Sequence, residues 1–126
     1  IEKYGYEEAS QHREELNGIC RYIEKNYMNK ITLENLCFIS GLSKSTLLRV
    51  FDKEMGTTPY RYIESVRINN AKKLMEAGEI PVMAALKTGF SEQSHLNRYF
   101  KSFIGISPGC YKEIFNNRNG ERYGKQ

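Results

Sequence analysis

Apolar residues recur at intervals of three and four positions along most of this 126-residue chain, which is the spacing of one face of an α-helix. Leu16, Ile19, Cys20 and Ile23 show the pattern first and predict an amphipathic helix over about residues 10–27. No segment alternates apolar and polar residues convincingly in the manner of a β-strand. The pattern therefore predicts an all-α fold of about seven helices.

Capping residues and glycines place the ends of these helices. Thr32 and Ser43 are predicted N-caps, and Gly41 and Gly56 are predicted to end the helices that follow those caps. The later start signals are Thr58-Pro59, Pro81, Ser91 and Ser107-Pro108. They predict a long connector helix of about 28 Å, then a fifth helix that runs to Gly89, a sixth that Ser91 caps, and a short terminal helix.

A pattern of four residues occurs twice, once across the third and fourth predicted helices and once across the sixth and the terminal helix. Within "FDKEMGTTPYRY" it is Phe51, Gly56, Pro59 and Tyr62, and within "FKSFIGISPGCY" it is Phe100, Gly105, Pro108 and Tyr111. Every member lies 49 positions after its counterpart. A fixed internal period of this kind indicates one supersecondary unit used twice.

The turn ahead of each repeated segment has the composition of a helix-turn-helix. The two turns are Cys37-x3-Gly41-x-Ser43 and Ala85-x3-Gly89-x-Ser91, in which a small residue permits close helix crossing and a glycine permits the sharp turn. We therefore predict two helix-turn-helix subdomains joined by the long connector helix. The predicted boundaries are 10–57 and 78–115 for the subdomains, 58–77 for the connector, and 116–126 for a flexible tail.

The charge of the chain favours nucleic acid weakly. The formal net charge is +4, and residues 31–126 carry fourteen Lys and Arg against nine Asp and Glu. No apolar run approaches the roughly 20 residues of a membrane span. Three cysteines without Cys-x-x-Cys spacing indicate unpaired thiols in a reducing cytoplasm. The chain has no signal peptide and no initial Met, and we expect it to be part of a longer protein.

Catalytic motifs do not appear in the sequence. There is no Gly-rich phosphate loop, no nucleophile motif and no cluster of metal-ligating residues. The histidines, His12 and His95, are far apart in sequence and neither has a nearby ligand pattern. We therefore predict that the protein is not an enzyme and needs no cofactor or metal.

The second motif resembles the DNA-binding domain of the AraC/XylS transcriptional regulators. The segment "GFSEQSHLNRYFKSFIGISPGCY" at 89–111 is similar to the family signature, and "RINNAKKLM" at 67–75 is similar to its connector. The resemblance covers about residues 12–115 and implies a bacterial, cytoplasmic and nucleoid-associated regulator. It implies sequence-specific binding of double-stranded DNA by two recognition helices in successive major grooves. It also implies contact with RNA polymerase and an upstream ligand-sensing or dimerisation domain.

Helical spacing of 100° per residue leaves polar side chains on the outward faces of the third and sixth helices. The resemblance implies that seven of these positions contact bases: Ser45, Leu48, Arg49, Gln93, Ser94, Asn97 and Arg98. Four neighbouring residues suit phosphate contact, namely Lys44, Thr46, His95 and Lys101. Polar residues on an outward helix face are ordinarily just solvated, so a helical protein-interaction module without DNA binding is the alternative.

Overall fold

A computed structural model describes the backbone of residues 9–122 and the side chains of residues 9–116. Residues 9–11 are helical, and seven helices with complete bounds follow them in the described part of the chain. They are α1 (Arg13–Asn26), α2 (Leu33–Ser40), α3 (Lys44–Met55), α4 (Pro59–Glu76), α5 (Pro81–Lys87), α6 (Gln93–Ile104) and α7 (Pro108–Arg122). Residues 9–122 contain no strand, which confirms the predicted all-α class.

The chain divides into two compact units, and the boundary lies inside α4, between Val66 and Arg67. The first unit has its own core, formed by buried side chains of α1, α2, α3 and the start of α4, with one residue before α1 and one before α2. These side chains are Ala9, Leu16, Ile19, Ile23, Ile31, Leu36, Leu47, Val50, Phe51 and Ile63. Burial of this apolar surface is the main term that holds the helices of the unit together.

The second unit has a separate core with smaller side chains. Its buried residues are Ile68, Ala71, Met75, Ala84, Ala85, Phe90, Leu96 and Phe100. They come from the end of α4, from α5, from the turn after α5 and from α6, and partly buried residues including Tyr111 of α7 pack against them. Alanines at the crossing of two helices let their backbones approach closely.

The helix caps of the first unit follow the sequence prediction. The Thr32 hydroxyl accepts a hydrogen bond from the Asn35 amide, and Asn35 Oδ1 accepts one from the Thr32 amide, so the two residues form a capping box. Ser43 accepts from the Thr46 amide at 3.3 Å and caps α3. Gly41, with φ of 76°, ends α2 in the left-handed region that glycine tolerates best.

The four repeated residues have a structural explanation in each unit. The rings of Phe51 and Tyr62 meet edge to face at 5.8 Å, and those of Phe100 and Tyr111 do so at 5.7 Å. Each tyrosine hydroxyl also donates to a glutamate: Tyr62 to Glu24 of α1 at 3.3 Å, and Tyr111 to Glu76 of α4. The repeat therefore fastens the helix after each helix-turn-helix to the helix before it.

The end of α4 has the same place in the second unit that α1 has in the first. The buried residues of the two helices have identical spacing: Leu16, Ile19 and Ile23 in α1, and Ile68, Ala71 and Met75 in α4. The start of α4, with Ile63, belongs to the first core. The helix predicted as a connector thus contributes buried side chains from its start to the first core and from its end to the second.

Three boundaries differ from those predicted. α5 ends at Lys87, before Gly89: the Thr88 hydroxyl donates to the Ala84 carbonyl, and the Thr88 and Gly89 amides donate to carbonyls three residues back, those of Ala85 and Leu86, instead of four. Ser91 does not cap α6, which begins one residue later than predicted with Glu92 at the N-cap position. α7 is longer than the short terminal helix predicted and continues into the predicted tail as far as Arg122.

Residues 123–126 of the predicted tail lie outside the described residues. Over the described part of the chain, none of the helices has the length and apolarity that crossing a membrane requires.

Candidate nucleic-acid interface

α3 presents a polar face to solvent because its apolar residues are buried in the first core. Leu47, Val50 and Phe51 are fully buried. The residues between them are exposed: Lys44, Ser45, Leu48 and Arg49. All four were predicted to contact DNA, and the structure brings them to one exposed face of one helix.

α6 has the same organisation in the second core. Leu96 and Phe100 are fully buried. Four of its predicted contact residues are exposed, namely Ser94, Asn97, Arg98 and Lys101. The other two, Gln93 and His95, are half-buried at the start of the helix. Both helices therefore expose polar side chains at equivalent positions, 49 residues apart.

The turn before α6 is one residue longer than the turn before α3. Two residues separate Gly41 from Lys44, the first residue of α3, whereas three separate Gly89 from Gln93, the first residue of α6. The additional residue moves Ser91 out of the N-cap position and brings Glu92 into it. Glu92 has extended backbone angles but makes no side-chain capping bond.

The polar side chains at the start of α6 bond to one another. The Ser94 hydroxyl donates to Glu92 Oε1 at 3.0 Å, and Ser91 Oγ lies 3.0 Å from His95 Nδ1. Sequence reasoning missed Glu92 as a member of this surface. The signal that could have found it is the change of offset, from 48 residues at the turn glycines to 49 in the helices.

The two outward arginines have different neighbours. The Arg98 guanidinium lies 5.4 Å from the ring centre of Tyr99, which in turn stacks on Phe90 at 6.2 Å. In α3 the residue after Arg49 is Val50, which is buried in the core. The aromatic ring beside Arg98 restricts the conformations of that side chain.

Leu48 lies at the edge of an apolar cavity of about 220 Å³ in the first unit. The cavity is lined by Ile31, Thr32, Leu33, Leu36, Leu48, Thr58, Pro59, Tyr60 and Ile63. Leu48 is 37% exposed, so part of its side chain covers this cavity and part faces solvent. Its outward position, which is unusual for a leucine, is thus partly explained by packing.

Thr46 is half-buried and takes part in the cap of α3. Its hydroxyl accepts from Ser43 Oγ at 3.0 Å, while its amide donates to the same oxygen. One lone pair of the Thr46 hydroxyl and the Thr46 amide hydrogen are therefore already engaged in hydrogen bonds with Ser43. A phosphate contact by Thr46 has to share its groups with this cap.

The clearly shifted titratable groups of the first unit lie on α1 and α4. Burial raises the pKa of the Cys20 thiol, and burial also raises the pKa of the Tyr62 hydroxyl. Both groups pack against the first core. No group of three His, Cys, Asp or Glu side chains within the described residues could hold a metal ion.

The paired helices, the glycine turns and the exposed second helix of each pair define a protein with two helix-turn-helix motifs. Residues 36–114 match the family described as Helix-turn-helix domain. The chain is 47% identical over 83 residues to the HTH-type transcriptional regulator YbfI of Bacillus subtilis, covering 66% of this chain and 30% of that protein. It is 35% identical over 107 residues to the multiple antibiotic resistance protein MarA of Escherichia coli, covering 84% of this chain and 83% of MarA.

The chain is also similar to a solved structure of an AraC family regulator. The chain resembles a probable AraC family transcriptional regulator from Rhodopseudomonas palustris with a TM-score of 0.73 and 28% identity, over 81% of this chain and 97% of that one. The chain belongs to the AraC family of helix-turn-helix transcriptional regulators. It is a DNA-binding domain of that family and not an enzyme. The chain spans 30% of the length of YbfI.

Proposed function

We propose that α3 and α6 are the recognition helices and that each enters a major groove of double-stranded DNA. The observation that carries the proposal is the pair of exposed polar faces at equivalent positions, each on a helix anchored by its own core. Helices of this length fit the major groove of B-DNA, where base edges present distinct donors and acceptors. The faces contain side chains that suit those edges.

The base contacts are assigned by side-chain chemistry. Arg49 and Arg98 offer a two-pronged donor to guanine O6 and N7. Gln93 and Asn97 suit adenine, whose N6 and N7 pair with an amide. Leu48 suits a thymine methyl group with the part of its side chain that faces solvent. Ser45 and Ser94 complete the set and can pair with several bases.

Phosphate contacts position the helices on the duplex. Lys44 and Lys101 are exposed beside the two reading faces and supply positive charge. Thr46 and His95 lie at the helix starts, where backbone amides also favour an anion. These contacts carry no sequence information, but they supply a large share of affinity.

A single chain with two recognition helices would read two subsites. Successive major grooves on one face of B-DNA lie about 34 Å apart, which is one helical turn. We propose that α3 and α6 use two such grooves, and that DNA bending accommodates them where needed. No dimer symmetry is required for a binding site of this kind.

The whole protein is proposed to regulate transcription in the bacterial cytoplasm, in association with the nucleoid. The relatives YbfI and MarA support a bacterial regulator, and YbfI is more than three times as long as the segment that matches it. We propose that an upstream domain senses a ligand or mediates dimerisation. We also propose that the regulator acts on RNA polymerase, through which it changes transcription.

The test is the salt dependence of binding to duplex DNA. The chain should bind a site selected from random DNA, and log Kd should change steeply with log salt because phosphate contacts release counterions. Replacing both Arg49 and Arg98 by Ala should weaken binding to the selected site strongly. The matched control replaces Arg21 and Lys25, two exposed residues of α1, and should change affinity little. A salt slope near zero, or equal effects of the two double variants, contradicts the proposal.

A further inference from the structure

The first turn of α6 contains a hydrogen bond for which α3 has no counterpart. Ser94 Oγ donates to Glu92 Oε1 at 3.0 Å, and both residues are exposed on the DNA-facing start of the helix as proposed above. The equivalent positions in α3 are Ser45 and Ser43. Ser43 has no carboxylate to offer, and its hydroxyl is used in the cap with Thr46.

This bond determines which hydrogen-bonding role remains to Ser94. A serine hydroxyl has one hydrogen to donate and two lone pairs that accept, and an ionised carboxylate only accepts. Because the hydrogen points to Glu92, only lone pairs of Ser94 remain for another partner. A hydrogen bond to a charged acceptor is stronger than one between neutral groups, which favours this arrangement over donation to a base.

An acceptor in the major groove discriminates between two kinds of base. Adenine N6 and cytosine N4 are amino donors, whereas guanine O6 and thymine O4 are keto acceptors. We infer that Glu92 fixes Ser94 as an acceptor, so that the start of α6 selects a base with an amino group over one with a keto group. The inference rests on the proposed function, because it assigns a preference to one residue of that same interface.

Glu92 also places a negative charge beside a polyanion. Its carboxylate repels phosphates and keto oxygens, so it lowers affinity for DNA in general while it raises discrimination at one base. Removal of Glu92 should therefore raise the affinity for random DNA and lower the discrimination at that base. A residue that only stabilised the helix would not raise affinity for random DNA when it was removed.

The experiment uses the whole chain and a duplex that the wild-type protein selects from a random pool. At each position of the site, adenine is replaced by purine, which lacks the N6 amino group, and cytosine by 2-pyrimidinone, which lacks the N4 amino group. The wild type should lose about fivefold in affinity or more at one position. Ser94→Ala and Glu92→Ala should each be insensitive to the loss of that amino group, and Glu92→Ala should tolerate guanine or thymine there.

A charge-matched control separates discrimination from general repulsion. Glu113→Ala removes an exposed carboxylate from α7 of the same unit. It should retain the amino preference of the wild type, whatever its effect on overall affinity. Glu92→Ala should in addition bind random duplex about twofold more tightly at low salt. Thermal unfolding of all variants shows whether each remains folded, and Ser94→Ala tests the preference with no change of charge.

The inference is overturned if Glu92→Ala keeps the discrimination of the wild type, or if the position sensitive to Ser94→Ala carries a keto base. It is also overturned if neither variant changes any base preference. A wild-type chain that selects no sequence at all contradicts the proposed function instead, so the two failures are distinguishable.

Discussion

The two units of this protein present comparable helices from cores that differ in size. The first core uses large aliphatic side chains such as Leu16, Ile19 and Leu36, whereas the second uses Ala71, Ala84 and Ala85 at its helix crossings. What the units share is the set of residues that hold the exposed helix: Phe, Gly, Pro and Tyr. The comparison teaches that the same four residues fasten the exposed helix in two cores that are otherwise filled differently.

The starts of the two exposed helices differ as well. α3 begins with a serine cap, whereas α6 begins after a longer turn with the uncapped Glu92. A side-chain cap stabilises a helix start by about 1 kcal/mol. The second unit forgoes this contribution and instead places a carboxylate beside Ser94. Such an exchange of stability for a polar group is common at functional surfaces.

The largest effect is expected from the buried phenylalanines. Phe51→Ala and Phe100→Ala should each lower the free energy of unfolding by about 3–5 kcal/mol, because each leaves a cavity in a core and removes a ring-to-ring contact. Amide hydrogen exchange should show the greater loss of protection in the unit that carries the substitution. Equal loss in both units from either variant would contradict the separation of the cores.

The outward arginines test whether the units read separate subsites. Arg49→Ala and Arg98→Ala should each cost about 1–3 kcal/mol of binding free energy and relax base preference in a different subsite. Site selection by each variant, with the protein monomeric, gives the measurement. Loss of preference at the same base pairs in both variants contradicts two separate readers.

The position of Arg98 beside Tyr99 sharpens this test. Tyr99→Leu keeps an apolar side chain and removes the ring, so the guanidinium loses its restricted position. Binding should weaken at the base pairs that Arg98→Ala affects and at no others. A uniform loss across all sequences would show that Tyr99 acts only through stability.

The helix starts should differ in their sensitivity to serine removal. Ser43→Ala should lower the free energy of unfolding by about 1 kcal/mol, because the Thr46 amide loses its acceptor. Ser91→Ala should change it by less than about 0.5 kcal/mol, because Ser91 makes an exposed bond to His95 and caps no helix. Ser107→Ala is the positive control. Ser107 accepts from the Cys110 amide at the start of α7, as Ser43 accepts from the Thr46 amide, so its removal should resemble that of Ser43. Equal losses from Ser43→Ala and Ser91→Ala would contradict the longer second turn.

The smallest effect concerns an ion pair of the second unit. The Lys87 ammonium donates to Glu79 at 2.6 Å, and this hydrogen bond lowers the pKa of the Glu79 carboxyl. A lowered pKa in the folded state stabilises the protein above the unfolded pKa, and the contribution is lost as the pH falls through the folded pKa. Glu79→Gln should therefore make unfolding slightly less dependent on pH in the acid range. Because the pair is exposed, salt screens it, and at high salt the pH dependence of unfolding should be the same for Glu79→Gln and for the wild type.

The helices and their caps at Thr32, Ser43 and Thr58 could be predicted from sequence because they depend on groups only a few residues apart. The outward faces of α3 and α6 follow from the same short-range periodicity. The four repeated residues could likewise be identified from the sequence, although not what they contact.

Tertiary structure alone decided the contacts between distant parts of the chain. Tyr62 bonds to Glu24 and Tyr111 to Glu76 across 38 and 35 positions, and no local pattern announces such pairs. The division inside α4 arises because its two ends pack into different cores. The prediction that Ser91 caps α6 is wrong, because a serine in a turn resembles an N-cap in sequence whether or not the helix starts at the next residue. The turn before α6 is one residue longer than the turn before α3, so the N-cap position of α6 falls on Glu92 and Ser91 lies outside the helix.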